Sequence, residues 1–482
     1  MSKRKAGGAS AGRGSAAKSA KAVAVGFVSL GCPKNLVDLQ VIGAELHSAG
    51  FEIGAEVEEA DVVLVNTCAF IEDAREEAVS SILGACELKK KGRCKIVAVT
   101  GCLPQRYRDK VLKACPDADI IAGIDELERI PALIREALAN RAAANAASAA
   151  PAPAKIIAVP PVPPCKLFTS KSPGLILTGG PFAYLKIAEG CRHACAFCAI
   201  PGIRGKLRSR SIAEIVAEAK ALLAEGVKEL DIIAQDSTSY GADLRDGAAT
   251  LPALLRELDA LPGDFWLRIL YGYPSLVTDE LLGLMATSKH ICRYLDIPVQ
   301  HSHPDILRAM RRAGTIESVA GMPCRLREKV PGLTLRTTCL VGFPGETAEH
   351  FAHLLAYAKE SKFDHLGAFA FSPEEGTPAY DMGDEPDDIT AEKRRDMLMR
   401  AQSKISAKNL QEKLGAELRI LLEVPPEDSA NGHWEGRHEG QAPDDIDGVC
   451  FILNVPDAAQ PGDFIAARVA GVDGYDLVCE AL

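Results

Sequence analysis

The sequence lacks any run of about 18 apolar residues, so no membrane-spanning helix is expected. It also lacks an excess of basic charge: 55 Lys and Arg stand against 65 Asp and Glu, a net charge of −10. Without a global positive field, nucleic acid would have to be held by a local patch. Apolar residues are not depleted. Hydrophobic residues make up 47% and charged residues 25%, which excludes a wholly disordered, collagenous or fibrous chain. At 482 residues, with about 150 residues per domain, the length suggests roughly three domains.

The charge is uneven. Residues 1–21 hold six basic residues (Lys3, Arg4, Lys5, Arg13, Lys18, Lys21) and no acid, which leaves 49 basic and 65 acidic residues for the rest. This Gly/Ala/Ser/Lys-rich segment reads as a disordered basic tail. Together with the apolar residues 22–32 it imitates a secretion signal with a lipoprotein cleavage site. The apolar run is short, however, and a buried first strand running into a turn accounts for it. The fifteen cysteines argue the same way. Grouped and odd in number, they indicate metal or cluster ligation in a cytoplasmic protein rather than disulfides.

The hydrophobic pattern predicts an α/β protein. Residues 22–137 alternate strands at 23–30, 61–66 and 95–100 with helices at 38–48 and 71–88, which implies a small parallel sheet domain. Residues 138–176, rich in Ala and Pro, read as a linker. Residues 177–414 carry six strand–helix units, with strands at 184–188, 229–234, 266–271, 294–298, 334–341 and 365–371. That number fits a partial, TIM-like (β/α) barrel whose chemistry sits at the C-terminal ends of the strands. A charged helix at 390–414 leads to 415–482, where short strands alternate with Gly, Pro and Asp as in a small all-β barrel.

The cysteines carry the chemistry. Cys191, Cys195 and Cys198 lie on one loop after the first strand of the central domain. Three thiols within eight residues reach three corners of a cube of iron and sulfide and leave the fourth iron open to a small molecule. A zinc site would want a fourth Cys or His, and His193 inside the loop is placed to point away from a shared metal. Cys32, Cys68 and Cys102 each follow a strand of the first domain, at spacings of 36 and 34 residues. One cysteine at each of three strand ends of a parallel sheet converges at one edge. Cys86, Cys94 and Cys115 match no motif and read as structural.

With Phe197 before its last cysteine, the loop resembles that of the radical S-adenosylmethionine (SAM) enzymes. Ser29-Leu-Gly-Cys-Pro-Lys-Asn-Leu-Val-Asp38, Asp296-Ile-Pro-Val-Gln-His301, Val341-Gly-Phe-Pro-Gly-Glu-Thr347 and Ser372-Pro-Glu-Glu-Gly-Thr-Pro378 resemble the RimO branch of the radical SAM methylthiotransferases. The tRNA-modifying, MiaB-like branch more usually has Gln-Met-Asn after the first cysteine. The resemblance covers nearly all of residues 24–482, and the C-terminal module is similar to a TRAM domain. Two stretches depart from the family: Leu39-Gln40 stands where Ser-Glu is usual, and residues 318–324 diverge from the usual helix.

The resemblance implies two [4Fe-4S] clusters, one on Cys191, Cys195 and Cys198 and an auxiliary one on Cys32, Cys68 and Cys102. It implies SAM in two roles, as methyl donor to sulfur and as the source of a hydrogen-abstracting radical. The implied reaction places a methylthio group on the β-carbon of an aspartate in ribosomal protein S-twelve, with a low-potential electron donor of the flavodoxin or ferredoxin type. SAM contacts are expected just past strand ends, at Phe197, Gln235, Asp236, Pro298, Gln300, Gly342 and Glu346. The rival is a tRNA methylthiotransferase acting on a modified adenosine. Against it, residues 417–482 hold three Arg, no Lys and fourteen acids, a charge of −11 that repels a polyanion and suits a basic protein. Asp444, Asp445 and Asp447 on one loop are expected to form an exposed docking face. A second rival, a non-catalytic iron–sulfur scaffold or electron carrier, fits poorly with the triad Cys191, Cys195 and Cys198 together with Gly342–Glu346.

Overall fold

The computed structural model describes residues 22–146, 154–160, 163–168, 175–245, 247–444 and 446–482. The basic tail, part of the expected linker and Asp445 lie outside the described residues. The described residues form two compact units: one holds those up to Gly179 together with 189–191 and 199–208, the other those of 180–188, 192–198 and 209–482.

The first unit is built on a six-stranded, all-parallel sheet. Its strands are β1 (Ala24–Ser29), β2 (Glu52–Ile53), β3 (Val62–Thr67), β4 (Ile96–Gly101), β5 (Ile120–Ala122) and β6 (Ile156–Ala158), in the order β2-β1-β3-β4-β5-β6. β3 and β4 are buried at every position. Alternate residues feed two cores. Val63, Val65, Val97 and Val99 pack with Ala78 and Ile82 of helix α2 (Glu72–Lys91). Val62, Leu64, Ile96 and Ala98 pack with Leu39, Ile42 and Leu46 of α1 (Pro33–Ser48) and Leu133 and Ile134 of α4 (Ile130–Ala146). Continuous apolar strands are what a sheet covered on both faces requires.

Two features depart from the pattern-based expectation. α1 starts at Pro33, not at 38, because proline suits a first helical turn, where its missing N–H costs nothing. The span read as a linker carries structure: α4 runs to Ala146 through an alanine run, alanine being the best helix former, and β6 adds an edge strand beside β5.

The second unit contains a partial (β/α) barrel of six parallel strands in sequential order. They are β7 (Phe182–Lys186), β8 (Glu229–Ile233), β9 (Trp266–Ile269), β10 (Ile291–Asp296), β11 (Thr334–Val341) and β12 (His365–Ala370). Residues 417–481 close a five-stranded barrel from β13 (Glu417–Val424), β14 (Trp434–His438), β15 (Cys450–Leu453), β16 (Phe464–Asp473) and β17 (Asp476–Ala481). This small barrel meets the N-terminal ends of the central strands. Arg437 donates to Glu229 at the start of β8 at 2.5 Å, and Arg268 donates to the same carboxylate at 2.6 Å and to the Glu439 carbonyl at 2.7 Å.

The acidic loop is therefore not the exposed docking face expected of it. Asp447 is only 3% exposed; it accepts a bond from the Tyr294 hydroxyl at 2.6 Å, pairs with Arg336, and lies 3.4 Å from His365. Asp444 accepts from the Tyr184 hydroxyl. Phenols and a guanidinium brought in by the central strands compensate the carboxylates and permit their burial. Among the described residues, no helix is long and apolar enough to cross a membrane.

Candidate functional site

Cys32, Cys68 and Cys102 stand at the C-terminal ends of β1, β3 and β4, which are parallel neighbours. Cys32 caps α1, Cys68 follows the last residue of β3, and Cys102 opens helix α3 (Cys102–Ala114). Two glycines let the strand ends approach. Gly31 has φ +92°, and a Cβ there would lie 2.7 Å from the Cys68 Cβ; Gly101 has φ +99°, and a Cβ there would meet the Thr67 carbonyl at 2.5 Å. Asn35 laces the edge together. Its side chain donates to the carbonyls of Leu30 and Thr67 at 3.0 Å, and its own carbonyl accepts from Asn66 at 2.6 Å.

Arg204, ending the short helix Ile200–Arg204, is 1% exposed. It donates to Asp38 at 2.6 Å and Glu189 at 3.3 Å, touches Asn35, and reaches the Cys102 Sγ at 3.4 Å. Burial pushes the Cys102 thiol up to about 12, and the Arg204 charge pulls in the opposite direction. Burial also raises Cys68, against the pull of the Phe70 and Ala69 backbone N–H groups. Burial holds these thiols protonated, and the fixed Arg204 charge and the backbone N–H donors work against it, toward the thiolate that metal ligation requires. Among the described residues these three sulfurs do not gather within 4.8 Å of one another. That is too open for one ion with bonds of about 2.3 Å to sulfur.

On the loop, Cys191 belongs to the first unit, where its N–H donates to the Gly205 carbonyl at 3.2 Å. Cys195 and Cys198 belong to the second, joined by a turn in which the Cys198 N–H donates to the Cys195 carbonyl at 3.1 Å. Between them, Ala196 is buried and Phe197 half-buried against Ile306, Met310, Phe343 and Ala379. The Ala196 N–H donates to the Met310 carbonyl at 3.0 Å. Arg312 donates to the Cys195 Sγ at 3.5 Å and to the Pro298 carbonyl at 2.8 Å, with its guanidinium 4.3 Å from the Tyr273 ring centre. His193 stacks on Tyr273 at 3.7 Å and lies 2.6 Å from Asp236.

The expected SAM contacts fall just past the strands, and several have internal work. Asp236 follows β8, caps the turn at Ser237–Ser239 and holds His193; burial would raise its carboxyl, but these donors together hold it below the usual range. Gln235 precedes it and is half-buried. Pro298 offers its carbonyl to Arg312. Gln300 has φ +67°, an uncommon backbone for a residue with a side chain, and bridges to Cys339 of β11. Gly342, φ +75°, backs onto a helix: a Cβ there would lie 2.6 Å from that of Ala391. Glu346 is buried, accepts from the Gly342 N–H at 2.7 Å and from Arg394 at 2.9 Å, and is raised by burial. Sequence reading missed Arg204 and Arg312, and held Asn35 only as part of the motif after Cys32. A lone arginine or asparagine has no spacing signature, and only the fold brings positions 204 and 102, or 312 and 195, together.

Residues 24–123 match the uncharacterized protein family UPF0004, residues 185–358 the radical SAM superfamily, and residues 414–482 the TRAM domain. The ribosomal protein uS12 methylthiotransferase RimO of Syntrophus aciditrophicus is 43% identical over 458 residues, covering 95% of this chain and 98% of its own. The relative of the same name from Pelotomaculum thermopropionicum is 42% identical over 461 residues, covering 95% and 99%. Among solved structures, the radical S-adenosylmethionine methyltransferase TsrM from Kitasatospora setae, with cobalamin and a [4Fe-4S] cluster bound, shares the fold. Its TM-score is 0.54 at 17% identity, over 75% of this chain and 77% of its own. Near-complete coverage of both sequences, together with the cysteine loop at the mouth of a partial barrel, places the assignment beyond the level of fold: the chain belongs to the RimO family of radical SAM methylthiotransferases.

Proposed function

We propose that the protein attaches a methylthio group to the β-carbon of an aspartate in ribosomal protein uS12, with SAM and two [4Fe-4S] clusters. The observation that carries this reading is the pair of separate cysteine sets, one on a loop and one at three strand ends. Cys191, Cys195 and Cys198 hold one cluster, and Cys32, Cys68 and Cys102 hold the other. When bound, the clusters and SAM supply the electron, the hydrogen-abstracting radical and the sulfur that receives a methyl group. The chain itself binds, orients and excludes water. Arg204 and Arg312 each place a buried positive charge beside one ligand sulfur, and second-shell partners of this kind orient ligands and tune a metal centre. The packing of Ala196 and Phe197 fixes the loop. Gln235, Asp236, Pro298, Gln300, Gly342 and Glu346 shape the SAM pocket at the strand ends. A low-potential donor of the flavodoxin or ferredoxin type supplies electrons in the cytoplasm.

The commitments of the C-terminal arginines support a protein substrate over tRNA. Arg437 is tied to Glu229 and Glu423, Arg419 to Asp264, and Arg468 to Glu417. Phosphate binding needs Lys or Arg that displace counterions, and residues 417–482 contain no lysine. Intact-mass spectrometry of uS12 from cells with and without this protein tests the proposal. A methylthio mass increment present only with the protein is expected; unmodified uS12 in both, with turnover of a tRNA adenosine, would overturn it.

A further inference from the structure

Four of the ten histidines, His301, His303, His350 and His353, fall in two short stretches. His303 caps the helix Pro304–Ala309, which begins just past β10. His350 lies in the first turn of the helix Ala348–Ser361, which begins just past β11, and His353 follows three residues on, on the same face. The two helix starts bring their imidazoles together: His303 lies 4.3 Å from the His350 ring centre and 5.1 Å from that of His353. Asp305 joins them. The ligand atoms of His303, Asp305 and His350 all lie within 4.8 Å of one another, the one such trio among the described residues.

We propose that His303, Asp305 and His350, with His353 beside them, form a binding site for a divalent transition-metal ion, zinc by preference. The donor set is nitrogen and carboxylate oxygen, which suits zinc or nickel and not the thiolate-seeking iron of the clusters. Around zinc, bonds of 2.0–2.2 Å set neighbouring ligand atoms about 3.4 Å apart. His303 Nδ1 and Asp305 Oδ2 stand 3.9 Å apart, so a small rotation of the partly buried His303 and the exposed Asp305 closes the chelate. Its cost is the weak 3.2 Å bond that the Asp305 N–H gives to the same nitrogen. Asp305 presents its other oxygen to Arg308.

The remaining imidazoles are held as ligand histidines usually are, with the far ring nitrogen anchored by a neighbour. His350 Nδ1 lies 3.2 Å from the Gly345 carbonyl and 3.2 Å from the Thr347 N–H. Ligation through Nε2 keeps the proton on Nδ1, which donates to the Gly345 carbonyl and gives up the bond accepted from the Thr347 N–H. His353 Nδ1 lies 2.9 Å from the Ser302 hydroxyl. Helix capping accounts for His303 and His350 and the Arg308 pair for one Asp305 oxygen; the ion takes the other oxygen together with the two imidazoles. Bound there, the ion ties the loop after β10 to the loop after β11.

The test uses cluster-loaded protein, so that the ligand thiols are occupied, titrated anaerobically with Zn²⁺ by calorimetry. Asparagine is a good N-cap and glutamine completes a capping box, so His303→Asn and His350→Gln preserve both helix starts. One equivalent of Zn²⁺ should be lost, or its affinity should fall roughly tenfold or more, in each variant. The metal-free melting temperatures should match the wild type, and only the wild type should gain stability on adding Zn²⁺. Equal Zn²⁺ binding by wild type and both variants would overturn the site, as would the absence of any Zn²⁺-dependent stabilisation of the wild type.

Discussion

The two ends of the central parallel sheet are built on opposite principles. At the C-terminal ends of β7–β12 the chain turns through loops that carry the cysteine motif, an αL glutamine at Gln300 and a crowd of histidines. At the N-terminal ends everything is sealed. Glu229 is fully buried between Arg268 and Arg437, and Asp447 is buried among Tyr294, Arg336 and His365. Buried charges persist only when paired, and removing one partner leaves the other stranded. In a β/α barrel the C-terminal face hosts chemistry and the opposite face hosts stability. Here the second face is also where the small barrel is seated. Substitutions at the two ends should therefore fail in different ways.

The largest contrast should come from replacing Cys191, Cys195 and Cys198 by alanine. Iron content should fall by about half and 5′-deoxyadenosine formation to background, while the melting of the small barrel stays put. Next comes the sealed end. Burial alone would raise the Glu229 carboxyl, but Arg268 and Arg437 outweigh it and hold it down to about 2. Glu229→Gln removes the carboxylate that Arg268 and Arg437 share, leaving Arg437 with Glu423 and Arg268 with Asp231 at 3.6 Å, and should cost about 3 kcal/mol, read as a lower melting temperature, with SAM cleavage intact below it. The carboxylate's folded value lies below its ordinary 4.5, so its contribution is full above that pH and is lost as pH falls toward 2. The gap between wild type and Glu229→Gln should accordingly narrow from pH 7 to pH 3. If it widens instead, the ion triplet does not fasten this face.

A smaller effect separates the two cysteine sets. Arg204→Gln and Arg312→Gln should each cost about 10–100-fold in activity. Each should shift the reduction potential of one cluster alone, with partial rescue by lysine; a shift of both clusters by either variant would break the distinction. Smallest is Thr347→Ala. It strips the cap that Thr347 gives the His350 N–H and should cost about 1 kcal/mol of stability without touching cluster content.

Much of this was legible in the sequence because the informative residues sit beside their own signals. Cys32, Cys68 and Cys102 each follow an apolar run, so strand ends and sulfurs could be located together. What was not legible depends on distant partners. The charge count treated Asp447 as surface, since nothing local reveals that Arg336 and Tyr294, more than 100 residues earlier, meet it. The alanine run before residue 147 suits both a linker and a helix; docking of Leu133 and Ile134 on the sheet decides for helix. β6, three residues long, has no periodicity to detect.

A division of labour, with the strand-end cysteines serving sulfur insertion and the loop cysteines serving radical formation, is tested most directly by incubating the reconstituted Cys32→Ala/Cys68→Ala/Cys102→Ala variant with SAM, a reductant and uS12, and measuring 5′-deoxyadenosine and the mass of uS12 together. The expected result is 5′-deoxyadenosine with no gain in uS12 mass. Methylthiolated uS12 at the wild-type yield would contradict the account.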